Sequence, residues 1–269
     1  MREEDTRSEP AFTALVLAGD RGPHDPVAEA TGSSCKALSP VGGRPMILRV
    51  LDALAQSEAV GAIILSGPKK LQLEGNPLLS EGIANERWGW TEPGATPSTS
   101  AYGVLQSLPE DAPVLLTTAD HALLRSQVID HFCAEARRSG CDLVVALVPH
   151  EQVMSAFPGM RRTGIRFRDG AFCGCNLYAF LTPRARKAAD FWREVEQERK
   201  RPWRMIKMLG WLPLVSYLTR RLTLGETLEM LSTRLGLSIC PVLLPFPEAA
   251  VDVDRPSDRE QVERFLRGV

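Results

Sequence analysis

The chain has 269 residues, 44% of them apolar and 24% charged, with a formal net charge of −1. This composition is ordinary for a folded soluble protein, and so even a charge balance supplies no general field for nucleic acid. No apolar run reaches the roughly 18 residues of a membrane span. The polar opening MREEDTRSEP reads as neither a secretory signal nor a transit peptide, which makes the cytoplasm the expected compartment.

Residues 12–18, FTALVLA, form a continuous apolar run of the kind a strand covered on both faces requires. A polar stretch punctuated by Gly19 and Gly22 follows and leads to Lys36. Next comes RPMILRVLDALAQS (44–57), with helical spacing at Met46, Ile47, Val50, Leu51 and Leu54. The segment 60–67, VGAIILSG, is a second buried strand, 98–108 a short helix, and 112–120, APVLLTTAD, a third strand. A helix over 125–139 and a strand over 142–149 come after. Strands alternating with helices imply a mostly parallel sheet with helices on both faces.

The second half is less regular. FCGCNLYAF (172–180) is strand-like, 183–201 is a charged amphipathic helix, and 202–236 reads as mostly helical, although Gly210 and Pro213 interrupt it. Residues 239–247 are extended. Ser257 and Glu260 have capping-box spacing ahead of a last helix after VDVD. The expectation is one α/β domain over 1–269, a Rossmann-like three-layer sandwich with a mostly parallel mixed central sheet. It carries a flexible tail at 1–10 and a helical insertion at 183–236. Six cysteines in apolar segments are most simply reduced, buried side chains; a zinc site built on Cys173 and Cys175 is the weaker reading.

In open α/β sheets ligands gather outside the carboxyl ends of the strands. The glycine loop after the first strand falls there, and Arg21 and Lys36 give it positive charge. It is neither a Walker loop nor a G-x-G-x-x-G turn. Asp120 ends the third buried strand, where it either binds metal or caps the helix beginning near Leu124. Asp252 and Asp254 are two residues apart and share one face of an extended segment, with Asp254 the favoured ligand. Two separated carboxylates plus substrate phosphates suit Mg²⁺. His24 and His121 read as surface or hydrogen-bonding residues.

The segments LVLAGDRG, KALSPVGGRPMILRVLDAL, LLTTADHALL and VDVDRPSD run in order from residue 15 to 258, and in them the chain resembles the MobA-like nucleotidyltransferases. The resemblance implies a Mg²⁺-dependent transfer of a nucleoside monophosphate from a nucleoside triphosphate to a phosphorylated small-molecule acceptor, with pyrophosphate released. It implies that Leu17, Ala18 and Gly19 border the base and ribose, and that Ser98, Thr99 and Ser100 lie beside the base. Arg21 and Lys36 would hold the phosphates. Asp120 would be the main metal ligand, with Asp252 and Asp254 as the second acidic site. Asn176 would face the acceptor, unless it is a buried structural amide. The chain departs from the family pattern at Asp20, where many relatives have a second glycine, and in a long loop from Gly22 to Lys36.

A regulatory nucleotide-binding protein of the same fold, or a nucleotide-sugar glycosyltransferase, is the alternative. Residues 199–224, with a charge-free stretch between Met208 and Leu218 and basic flanks, are expected to pack on the domain or on a second subunit of a homo-oligomer. A minority reading places them at a membrane surface.

Overall fold

Strand β1 (Phe12–Leu17) is apolar at every position but Thr13 because helices cover both its faces. The computed structural model describes residues 10–20, 24–73, 75–198 and 222–268. In β1 the side chains alternate. Phe12, Ala14 and Val16 face one core cluster, which includes Met46, Ile47, Val50, Leu51 and Leu54 of helix α2 (Met46–Ala55). Leu15 and Leu17 face the other, with Ala101, Val104 and Leu105 of helix α5 (Pro97–Ser107). Burying each such leucine contributes about 1.5–3 kcal/mol, and the strand draws on both layers.

Parallel pairing joins β1 to β4 (Val60–Ser66) on one side and β6 (Val114–Thr118) on the other. With β5 (Gly89–Thr91), β7 (Leu143–Pro149), β9 (Gly170–Phe180) and β10 (Ile239–Leu243), the sheet order is β10-β7-β9-β6-β1-β4-β5. A short strand β8 (Ile165–Phe167) pairs with β9. Along this order, among the described residues, β9 alone is antiparallel to the strands on both sides of it, so the sheet is mixed but mostly parallel, as the alternation of elements implied. The carboxyl ends of β1, β4 and β6 therefore meet along one edge. Strands β2 (Pro40–Val41) and β3 (Arg44–Pro45) form a separate small hairpin.

Helix α6 (Ser126–Arg138) lines the α2 face, while helix α8 (Arg186–Glu198) lies on the α5 face. Helix α8 grips α5 at both ends. The buried Arg186 guanidinium donates to the carbonyls of Leu105 (2.6 Å) and Leu108 (2.9 Å), and also to that of Pro109. Glu196 accepts from the backbone N–H of Ser98 at 3.2 Å. A cation at the carboxyl end and a carboxylate at the amino end both complement the dipole of α5. In between, Arg193 stacks 4.0 Å over the Tyr102 ring.

Several local expectations give way. The long loop before Lys36 contains a helix, α1 (Pro26–Thr31), capped by Asp25. Pro26 at its first position and Gly32 in the left-handed conformation after it are the usual signals, but six residues are too few to show a period. Further short helices, α3 (Lys70–Leu73), α4 (Pro77–Ala84) and α7 (His150–Ala156), fill other connections. Helix α9 (Leu224–Leu235) begins at a Thr223–Glu226 capping box. Helix α10 (Pro256–Arg267) is capped by Asp258, which accepts from the N–H groups of Asp254 and Arg255, and not by the Ser257–Glu260 pair. Pro256 takes the first helical position, which moves the helix start and places Ser257 inside it.

The cysteines are not all reduced: Cys141 and Cys240 form a disulfide, with their Cα atoms 6.0 Å apart. Parallel pairing of β10 with β7 brings these positions together across 99 residues, a proximity with no local trace. Asp142 reinforces the same junction by accepting from the Ser238 N–H (2.7 Å) and the Thr182 hydroxyl (2.5 Å). Cys173 and Cys175 are buried thiols, and burial raises the pKa of both. Among the described residues no helix is long and apolar enough to cross a membrane. Arg21, Gly22 and residues 199–221, which carry most of the expected surface or oligomer segment, lie outside the described residues.

At the edge of the sheet, Gly67 has a φ of +88° immediately after β4. A Cβ there would fall 2.8 Å from the backbone of Ala18 and Gly19. The Gly67→Ala variant should lose about 2–3 kcal/mol of stability in urea denaturation, since it combines left-handed strain with a backbone collision.

Candidate functional site

Three backbone bonds gather the ends of separate strands. Ala18 donates to the Ser66 carbonyl (2.8 Å), Ala119 to that of Leu17 (2.9 Å), and Val253 to that of Asp120 (3.1 Å). The last of these lays the segment before α10 alongside the end of β6. Lys36 opens a 3-10 turn, Lys36–Leu38, and its side chain reaches into the same place. The Lys36 ammonium donates to Asp120 Oδ2 at 2.6 Å and to Asp254 Oδ1 at 2.5 Å.

The three groups differ in exposure. The side chains of Lys36 and Asp120 are 17% and 18% exposed, whereas that of Asp254 is 49% exposed. Burial alone would lower the Lys36 pKa, but the two carboxylates outweigh it and hold it above 10.5. Burial likewise works against ionised Asp120. The charge and hydrogen bond of Lys36, with a 2.5 Å bond from the Thr118 hydroxyl, hold its pKa below the ordinary value instead. Asp120 does not cap a helix, because α6 starts six residues later with Arg125 at its cap.

Asp252 and Asp254 part company. The Arg162 guanidinium donates to Asp252 Oδ1, and the Asn176 amide donates to Oδ2 at 3.0 Å. Arg162 also donates to the Ala250 carbonyl. Burial, together with the charges of Asp120 and Asp254, raises the Asp252 pKa despite the opposing pull of Arg162. Asn176 has a left-handed φ of +49°, opposite a register shift between Val145 and Leu147 of β7. A bulge there re-aims its side chain toward Asp252. Arg162 was not singled out from the sequence. Nothing in MRRTG distinguishes it from Arg161, because its partners lie 88 and 90 residues away.

The remaining expected residues line one wall. Leu17 and Ala18 are buried and Gly19 is exposed, with Pro93 close enough that a Cβ on Gly19 would sit 3.1 Å from it. Pro93 belongs to the loop that enters α5, so the glycine turn and the start of α5 adjoin. At that start the hydroxyls already have local partners. The Ser98 hydroxyl meets Thr96, Thr99 forms a capping box with Thr96, and the Ser100 hydroxyl accepts from the Gly94 N–H at 2.9 Å. Asp20 is approached by the Gln72 amide at 3.4 Å, which also donates to the Ser34 carbonyl.

His121, next to Asp120, is 1% exposed, and among the described residues neither ring nitrogen has a hydrogen-bond partner of good geometry. It is a core residue and not a surface one. Burial pushes its pKa down to about 4, opposed by Asp120 and assisted by Arg162. A neutral folded-state imidazole makes stability complete above pH 6.5 and progressively lost as pH falls toward about 4. At about 1.4 kcal/mol per pH unit, that loss approaches about 3 kcal/mol. Asp252, whose pKa is raised, works in the opposite sense just above its ordinary value, and the Asp120 contribution is lost below its own. Chemical denaturation at pH 7 and pH 4.5 should therefore show a smaller acid loss for His121→Leu than for the native chain.

Residues 14–228 match the model of the MobA-like NTP transferase domain. A solved structure described as a hypothetical transferase from Thermus thermophilus is 30% identical, with a TM-score of 0.75, covering 93% of this chain and 99% of that one. A CMP:2-keto-3-deoxy-manno-octonic acid synthetase complexed with CTP shares the fold at 12% identity and a TM-score of 0.56, covering 95% and 99%. So does the 2-C-methyl-D-erythritol 4-phosphate cytidylyltransferase of Thermus thermophilus, at 15% identity and a TM-score of 0.54, covering 96% and 99%. No curated protein sequence matches. With 215 of its residues inside the family model, the chain belongs to the MobA-like NTP transferase family and is a nucleotidyltransferase.

Proposed function

We propose that the chain transfers a nucleoside monophosphate from a nucleoside triphosphate to a phosphorylated small-molecule acceptor. The observation that carries this reading is the convergence of Lys36, Asp120 and Asp254 where β1, β4 and β6 end. An acceptor phosphate oxygen attacks the α-phosphorus, the bond from that phosphorus to the bridging oxygen breaks, and pyrophosphate departs. The attacking group is already an anion, so the residues need only position charges and neutralise them.

The donor set suits a hard divalent cation. Asp120 and Asp254 already share one positive group, the Lys36 ammonium, and Mg²⁺ is typically held by one or two carboxylates together with substrate phosphates. Asp120 and Asp254 would hold the ion, whereas Asp252 is committed to Arg162 and Asn176. When bound, the metal supplies charge neutralisation at the phosphates. Lys36 contributes the same at the departing pyrophosphate. Gly19 lets the chain approach the nucleotide closely, beside the amino end of α5. Arg21 is assigned to the triphosphate on the family pattern, and Ser98 to Ser100 support the base wall through the cap of α5.

Pyrophosphate release tested with each of four nucleoside triphosphates and a panel of phosphorylated acceptors should identify one productive pair. CTP is the first nucleotide to try, because two structures of this fold are named for cytidine chemistry. No release with any pair would overturn the reading. With the productive pair, Lys36→Ala should lower kcat/KM by about 30- to 1,000-fold, equivalent to about 2–4 kcal/mol. Asp120→Asn and Asp254→Asn should each raise the Mg²⁺ concentration needed for half-maximal rate. The effect should be larger at Asp120, which is the more buried and the more firmly held.

A further inference from the structure

We propose that Lys36 is the resident cation of the Asp120–Asp254 pair, so that a divalent metal presented alone must compete with the ammonium, and a nucleoside triphosphate relieves that competition by drawing Lys36 onto its phosphates. The inference rests on the nucleotidyl-transfer reading and adds an order to it: metal and nucleotide bind together far better than metal binds by itself.

The geometry sets up the competition. One nitrogen lies 2.6 Å from Asp120 and 2.5 Å from Asp254, and no third hydrogen-bond acceptor meets it among the described residues. The side chain is largely shielded from water, so the carboxylates stand in for hydration that the ammonium would otherwise have. Removing Lys36 would leave the two carboxylates facing each other, with Asp252 close enough that their charges disfavour its ionisation. Counting the five charged side chains gives two cations, Lys36 and Arg162, against three anions, Asp120, Asp252 and Asp254. The set is one positive charge short with the ammonium in place and two short without it.

The lysine leaves readily only for a stronger anion. Its compact charge on a flexible four-carbon stem can turn while the backbone at Cys35–Leu38 stays in its 3-10 turn. A triphosphate carries more negative charge than the two carboxylates together. Displacement begins on the Asp254 side, because that carboxylate is 49% exposed and Asp120 is 18% exposed. The two ligands are then positively coupled through one side chain, and the coupling is reciprocal.

Mn²⁺ alone, titrated by electron paramagnetic resonance in the absence of nucleotide, tests this. Lys36→Met and Lys36→Gln should bind Mn²⁺ about tenfold more tightly than the native chain, equivalent to about 1.4 kcal/mol. Lys36→Arg, which retains the charge, should stay close to native affinity. Adding Asp254→Asn to Lys36→Met should abolish the gain, which would locate it at this pair. Unchanged or weaker Mn²⁺ binding in both neutral variants overturns the inference. Should the neutral variants fail to fold, nitrogen-15 NMR of the native lysine ammonium groups decides. A protected Lys36 signal that shifts on adding Mg²⁺ with nucleotide, and much less with Mg²⁺ alone, supports the competition, whereas equal shifts refute it. The Mn²⁺ titration needs no turnover, so its failure is separate from failure of the pyrophosphate assay, which bears on the underlying reaction.

Discussion

The ammonium of Lys36 joins residues 84 and 218 positions away, and this contact draws the 3-10 turn at Lys36, the end of β6 and the segment before α10 into one place. A lysine with two carboxylates at the surface would contribute little, since water and salt would screen it. Here Lys36 and Asp120 are mostly shielded, which strengthens the attraction and also raises the cost of losing either partner. The arrangement is therefore self-consistent only as a unit. Each of the three groups needs a charge that one of the others supplies, and the backbone bond from Val253 to Asp120 sets the spacing.

Sheet topology decides which residues can take part. Parallel strands bring their carboxyl ends to one edge, and the reversal of β9 brings its first half to that edge as well. Asn176 can consequently reach Asp252 although its strand runs the other way. The helix α8 contributes from a distance. By clasping α5 with Arg186 at one end and Glu196 at the other, it fixes where the amino end of α5 meets the loop after β1. A helix remote from the lysine thus helps to shape the wall opposite it.

The buried strands β1, β4, β6 and β7 and the helices α2, α5 and α6 were legible because their apolar periodicity is long enough to read locally. Lys36, Asp120 and Asp254 were legible through the family motifs around them, and the structure places them in contact. What escaped was either short or non-local. The six residues of α1 and the two-residue strands β2 and β3 carry too little pattern. The Cys141–Cys240 bond and the Arg162–Asp252 pair depend on strand order, which no local window contains. The cap of α10 escaped for a third reason: two acceptors compete within four residues, and Pro256 at the first turn gives the role to Asp258.

The pairing of Asp252 with Arg162 and Asn176 explains why two acidic residues in VDVD, alike in type and neighbours in sequence, are unlike in chemistry. Asp252 has both oxygens engaged by side chains of the protein, in a buried setting that favours its protonated form over that of a free carboxylate. Asp254 has one oxygen on a lysine, half of its side chain exposed, and a backbone N–H anchored by Asp258. A carboxylate with one oxygen on an ammonium and half of its side chain exposed can meet a further cation. One locked between a guanidinium and an amide cannot. The alternation along three residues therefore separates a carboxylate bonded through both oxygens from one bonded through a single oxygen, and leaves the second on the side open to solvent.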